Sequence, residues 1–428
     1  MAAYRADYEM QVAGPEWLQA LRGRGITRFE SVGFPTMKDE DWHFTSVAPI
    51  AQATFRTMGD SPKIQPQDVE RFTTGFSEWH TVVFVNGRYS AELSRSPGRE
   101  NGIRVESLSS AIRGGTPLIE RHLGKLAGPA VNAFAALNAA FISDGAFIEI
   151  SANASASKPI HLVFISAGRE GVSHPRNLIV AGENSRCSVI ESYMSLDDRK
   201  YFTNAVTEVY IGEGARLDHY KLQREATSAF HVGTIQITQR ASSQLNSFSF
   251  ATGGQLSRTN IYTTLDGDGA ACHLNGLYLA DGTQHIDHQT RIEHVKPNCL
   301  SREVYKGVLD GRSHGVFNGK VYVHPEAQKT DGKQSNNNLL LSANARVDTK
   351  PQLEIFADDV KCTHGATVGR LDEMAMFYLN SRGIGPDAAR TLLTYAFAAD
   401  VLETIELEPL RNALEAMVLA RFTEPLPD

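Results

Sequence analysis

This 428-residue chain has only four cysteines, at positions 187, 272, 299 and 362, far apart and without a Cys-x-x-Cys pair. A disulfide framework or a self-contained zinc site normally shows short-range ligand pairs, so four free thiols in a reducing compartment are expected. The chain also lacks any apolar run approaching the 18 or more residues of a membrane span. Its first residues, Met-Ala-Ala-Tyr-Arg-Ala-Asp-Tyr-Glu, have no continuous apolar core and already carry acids, unlike a secretory signal. A cytoplasmic location without membrane contact is the expectation. Positive charge is in deficit: 42 Lys and Arg against 49 Asp and Glu leave a net charge of −7, which argues against nucleic-acid binding. No GxxxxGK[ST], GxGxxG or GxSxG pattern occurs, so neither nucleotide hydrolysis nor serine catalysis has a basis within this chain. Any ATP must be bound by a partner.

What remains is an ordinary globular composition, 42% hydrophobic and 21% charged, long enough for two or three domains. Residues 1–144 read as a helical and mixed N-terminal domain. Pro15-Glu-Trp-Leu-Gln-Ala-Leu-Arg predicts a short helix with proline in its first turn and Trp17, Leu18 and Leu21 inward. Pro35 to Thr45 reads as a packed loop around Trp42 and Phe44, and Thr81 to Gly87 as a short strand ending in a turn. Leu118 to Phe141 has helical periodicity interrupted around Gly124 and Gly128.

From 145 to 369 the texture changes to short β-branched or alternating runs, such as Val206-Thr-Glu-Val-Tyr-Ile and Gly315-Val-Phe-Asn-Gly-Lys-Val-Tyr-Val. Breakers fall at Gly253, Gly267, Gly282, Pro297, Gly311 and Pro325, spaced 14, 15, 15, 14 and 14 apart. A strand-plus-turn unit repeated this evenly favours a stacked β-solenoid over a sandwich, whose turns usually come every ~8–12 residues. Asn336-Asn-Asn-Leu-Leu-Leu is expected at a solenoid corner, with asparagines in left-handed backbone and leucines inside the coil. Asp266-Gly-Asp-Gly269 and Gly212-Glu-Gly214 read as turns.

Residues 370–428 read as a C-terminal helical domain: Leu371 to Arg382 ending at Gly383, a helix opened by Pro386 and running to about Thr404, and one from Pro409 to about Phe422. Such helices are expected to shield the final coil of a solenoid, or to serve as a docking arm. From Leu371 to Asp428 there are 10 acidic and 4 basic residues, suited to a basic partner or to a solvated face.

The stretch Ala357-Asp-Asp-Val-Lys-Cys-Thr-His-Gly-Ala-Thr-Val-Gly369 carries the chemistry. On a strand, Cys362 and His364 point to the same face. A Cys-x-His pair is most often a buried structural cysteine beside a core histidine. The polar flank of Asp358, Asp359 and Lys361 suits an exposed strand end instead. A thiolate and an imidazole together suit iron, zinc or an iron–sulfur cluster, yet two ligands do not complete a site, so the remainder must come from distant residues or another chain. The histidine-rich segment from His285 to His294 is a weaker candidate. His285 and His288 face opposite sides of a strand, while His288 and His294 lie about 20 Å apart on an extended chain. Polar ladder residues are expected there, not a metal box.

Several longer stretches carry a resemblance. Lys306-Gly-Val-Leu-Asp, Val316-Phe-Asn-Gly-Lys-Val, Thr330-Asp-Gly-Lys-Gln, Asn338-Leu-Leu-Leu-Ser, the run from Asp348 to Gly369 and Phe377-Tyr-Leu-Asn-Ser-Arg-Gly-Ile closely resemble the SufD branch of the SufB/SufD family, scaffold-like subunits of the Suf iron–sulfur cluster assembly system. Pro35-Thr-Met-Lys-Asp-Glu-Asp-Trp42, Ala136-Leu-Asn, Asp144-Gly and His174-Pro-Arg-Asn extend the likeness over essentially the whole chain. SufB differs: it carries His-Glu-Ala-Thr where His364-Gly-Ala-Thr stands here, and a Cys-Gly-Ala-His stretch upstream that is missing. His43 and Thr363 are small departures from the family pattern.

The resemblance implies a right-handed parallel β-helix core flanked by helical N- and C-terminal domains. It implies a non-catalytic subunit that pairs with SufB through the β-helix ends, and leaves open a homodimer when SufB is absent. An ABC-type ATPase, SufC, is implied at the helices of 371–428. His364 would be the cluster- and metal-binding residue at the SufB interface, with Cys362 its neighbour, and the iron or iron–sulfur cluster would be transient and shared with SufB. Two other readings are a β-solenoid enzyme acting on polysaccharide, which needs clustered acids that are not apparent here, and a purely structural scaffold without a cluster site.

Overall fold

The computed structural model describes residues 2–53, 55–58, 62–73, 75–96 and 98–423. From Arg176 onward, successive strands alternate between two sheets and each strand pairs in parallel with the strand after next. The result is a parallel β-solenoid of about eight turns with helices toward both termini.

Register fixes the repeat. In one sheet Phe202 pairs with Phe230, then Leu256, His285, His314 and Arg346 in succession, steps of 28, 26, 29, 29 and 32 residues. One coil therefore holds two strands and two links, and the 14–15-residue spacing of the breakers is half a coil. All six predicted breakers lie in links between strands. One column of corners uses left-handed backbone at Asn184, Gly214, Ser242, Gly269, Asn298 and Lys329, where asparagine and glycine meet the least steric cost.

The interior explains why strands and not helices form. Alternate residues point inward, and Ile179, Val209, Leu217, Ile235, Leu245, Ile261, Leu274 and Ile292 make one continuous apolar column. Glycine is used where coils crowd: a Cβ at Gly253 would sit 2.1 Å from the Glu225 carbonyl oxygen.

The N-terminal part is helical, as expected, but the predicted short helix runs on through Glu16–Val32, with Leu18 and Leu21 buried and Trp17 half-buried. Trp42 is buried under the Arg258 guanidinium, 3.6 Å from its ring centroid. The sheets start before residue 145: His80–Val85 pairs in parallel with Ile160–Ser166. It also turns through Asn86-Gly87 into the antiparallel strand Arg88–Arg95. That hairpin closes one end of its sheet, and Arg99–Glu100 with Ile103–Ser107 closes the other sheet, so the first coil presents no bare parallel edge.

Two expectations are corrected. The C-terminal helices do not lie across the end of the solenoid. Pro386–Leu402 and Glu408–Thr423 lie along its flank, burying Val401, Leu402, Leu410, Leu414 and Val418 against Leu222, Phe250, Leu277, Leu279, Val308 and Leu339. Those sheet residues face outward and are apolar, so the flank demands cover. The asparagine run is also not at a corner. Asn336 and Asn338 lie inside the strand Asp331–Leu340 and are buried, while Leu339 faces the helices. The inward asparagines bond the Tyr305 carbonyl at 3.2 Å and each other at 2.7 Å, so side-chain hydrogen bonding, not backbone tolerance, accounts for them.

Candidate functional site at the open end of the solenoid

Asp331–Leu340 is followed in its sheet by Lys361–Gly369, and among the described residues no strand follows it; in the other sheet Arg346–Ile355 is the last described strand. Both leave one edge of backbone N–H and C=O groups without a strand partner, the arrangement that templates pairing with another chain. Both strands pair inward in uninterrupted register, and exposed apolar side chains surround them. Phe356 is 56% exposed, Val368 48%, Met374 74% and Phe377 68%. The helix Glu373–Ser381, capped by the Asp372 carboxylate, buries none of its residues. An uncovered apolar end of this kind marks an interaction surface.

Cys362 and His364 sit on this final strand. Cys362 follows Cys187, Leu217, Leu245, Cys272, Ser301 and Gly332 in one in-register row. His364 follows His219, Ser247, Leu274, Glu303 and Gln334 in the next inward row. Both rows are buried up to the last rung. The pair therefore continues the interior of the solenoid to a point where no further coil covers it, which leaves His364 exposed and Cys362 half-buried. Neighbouring same-face positions are about 6.6 Å apart along a strand, close enough for both side chains to reach one metal ion.

Their environments differ. The thiol packs beside Val321, Val323, Ala327 and Ala357. Burial pushes it above its ordinary value, the Asp331 charge adds to that, and a backbone contact at Gly332 opposes it. In the free chain Cys362 is thus a protonated thiol, and a metal or a cationic neighbour is needed to make it a ligand.

Behind His364, Gln334 Nε2 donates to Glu303 Oε2 at 2.6 Å. Burial raises the Glu303 carboxyl to about 7. Sequence reading missed this pair, although a signal existed: 334 and 303 precede 364 by one and two coil lengths. Deeper in the lumen, Glu191 accepts from Tyr193 at 2.6 Å and bonds His219 at 2.9 Å. Lys221 bonds His231 at 2.8 Å, and His231 pairs with Glu225 at 2.7 Å. These buried charges are paired, as low-dielectric burial requires.

No group of three or more His, Cys, Asp or Glu among the described residues is arranged to hold a metal ion. The His285–His294 segment forms a strand in which His288 and His294 point inward to Ser249 and Ser301, and His285 points outward to Thr45. They are ladder residues. All four cysteines are free. No described helix is long and apolar enough to cross a membrane.

The chain is thus a two-sheet parallel solenoid closed at one end and open at the other, with a thiol and an imidazole on its last rung. The comparisons agree with that architecture. The family described as "SUF system FeS cluster assembly, SufBD core domain" matches residues 164–397, and "SufBD protein N-terminal region" matches residues 4–162. The chain is 34% identical to the iron–sulfur cluster assembly protein SufD of Escherichia coli over 92% of this chain and 90% of that one. It is 33% identical to an iron–sulfur cluster assembly SufBD family protein of Synechocystis over 91% and 88%, and 26% identical to SufD of Bacillus subtilis over 97% and 96%. The chain belongs to the SufBD family and has a role in iron–sulfur cluster assembly, and its likeness is to SufD.

Proposed function

We propose that this chain is the non-catalytic SufD-type scaffold subunit of a cytoplasmic assembly complex, and that its open coil end pairs with SufB. The observation that carries this reading is the uncovered last rung. Two final strands with bare edges, an apolar surround and an exposed His364 beside Cys362 supply part of a coordination sphere and a surface for another chain to complete it. The cargo is iron or a nascent iron–sulfur cluster. His364 offers its imidazole to it, and Cys362 joins once the cargo displaces its proton. The same edge accommodates a second copy of this chain when SufB is absent. The flanking helices of 371–428, with exposed Met374, Phe377, Tyr378 and Leu392, provide the docking face for the SufC ATPase.

Anaerobic cluster reconstitution of the complex, read by ultraviolet–visible absorption, tests the site. His364→Ala should leave the complex assembled yet abolish cluster loading. Full loading in the variant removes the assignment and leaves a purely structural scaffold.

A further inference from the structure

Two motifs that cluster assembly leaves unused, Asp144-Gly and His174-Pro-Arg-Asn, meet far from the open end. They line a cavity of about 790 Å³ between the first helices and the first coils, within the ~300–1,000 Å³ range of small-molecule sites.

His174 is 5% exposed, and its ring lies on Phe141 with centroids 4.9 Å apart and planes 15° apart. Burial holds it neutral, lowering it to about 3. A neutral imidazole donates through one nitrogen and accepts through the other. Asn204 Nδ2 bonds His174 Nδ1 at 3.1 Å and also donates to the Phe134 carbonyl at 3.0 Å. Nδ1 is therefore the acceptor and Nε2 carries the hydrogen. That buried N–H finds no partner among the described residues, and an unspent buried donor is destabilising unless something accepts from it.

The surrounding charge is positive. Arg22, Arg56 and Arg113 line the cavity against two acids, Asp7 and Asp144. Asp7 is already paired with Arg56. Burial pushes Asp144 above the ordinary carboxylate range, and its oxygens are taken up by the backbone N–H groups of Gly145, Tyr89 and Ser109 at 2.9, 3.0 and 3.1 Å. Met10, Leu18, Met58 and Phe141 supply apolar wall. A cavity that combines surplus guanidinium charge, one unspent N–H donor and an apolar lining is complementary to a particular kind of molecule.

We propose that this cavity binds a small amphipathic anion, a carboxylate or phosphate ester with an apolar body, whose acid oxygen accepts from His174 Nε2. The proposal stands apart from the cluster site and would survive its loss.

Titration of the full-length chain with the fluorescent amphipathic anion anilinonaphthalene sulfonate tests it. Saturable one-to-one binding is expected. His174→Phe keeps the ring stack and removes the donor; Ala13→Trp fills the cavity from an exposed position at its rim. Each should weaken binding about tenfold or more, whereas His364→Ala should bind as the unmodified chain does. Circular dichroism checks folding, and should His174→Phe misfold, Ala13→Trp carries the comparison. The absence of saturable binding, or unchanged affinity in Ala13→Trp, overturns the proposal. So does equal affinity for the uncharged analogue phenylnaphthylamine, which would show a merely greasy pocket.

Discussion

Replacing Glu303 by glutamine isolates the electrostatic consequence of stacking a carboxyl two rungs behind His364. Glu303 is 1% exposed, and burial raises its carboxyl from 4.5 to about 7. In the unfolded chain it ionises near its ordinary value, so between pH 4.5 and 7 the folded protein holds a proton that the unfolded chain releases. Stability contributed by this group is complete below pH 4.5 and is lost as pH rises through 7. The interval of about 2.5 pH units, at about 1.36 kcal/mol each, corresponds to about 3 kcal/mol. Glutamine keeps the shape and the bond to Gln334 but never ionises. Urea denaturation at a series of pH values should therefore give matching stabilities near pH 4.5. Glu303→Gln should then gain progressively up to about 3 kcal/mol by pH 8. A difference that does not change with pH would refute the reasoning, because it would show that packing and not ionisation separates the two proteins.

Other perturbations report on other parts of the molecule. Glu208 is fully buried, pairs with Arg176 at 2.7 Å and accepts the N–H groups of Gly124, Leu126 and Ala127. Glu208→Ala strands a buried guanidinium and should cost about 3–5 kcal/mol in a denaturant melt. Leu414→Ala, under the flank helices, should cost about 2–5 kcal/mol and expose Glu408–Thr423 to limited proteolysis before the strands are cut. Val368→Lys at the open end should change chain stability by no more than about 0.5 kcal/mol, yet weaken the proposed pairing with SufB or with a second copy in analytical ultracentrifugation. Unchanged association would place the pairing surface elsewhere.

Much of this architecture was legible in one dimension because a solenoid repeats. Breakers from Gly253 to Pro325 mark half-coils, and that local turn chemistry survives whatever packs nearby. The interruption at Gly124 and Gly128 likewise falls between the helices Pro117–His122 and Ala133–Ala140. The asparagine run was misplaced because asparagine serves both left-handed corners and inward hydrogen-bonded ladders, and only register tells them apart. The flank helices were misplaced because an apolar helical face does not name the surface it will cover. That surface is assembled from Leu222, Phe250, Leu277 and Val308, residues from four different strands.

The order of residues alone determined the solenoid class, the two helical regions, the free thiols and the alternation that aims Cys362 and His364 to one side. These are local properties of turns, periodicity and spacing. Only the tertiary structure decided that this side is the solenoid lumen at its uncovered end, and that Glu303 and Gln334 stand directly behind the imidazole. It alone brought Asp144 and His174 together around a cavity. Parallel stacking joins residues about thirty positions apart, and a contact across that separation depends on the register of whole strands.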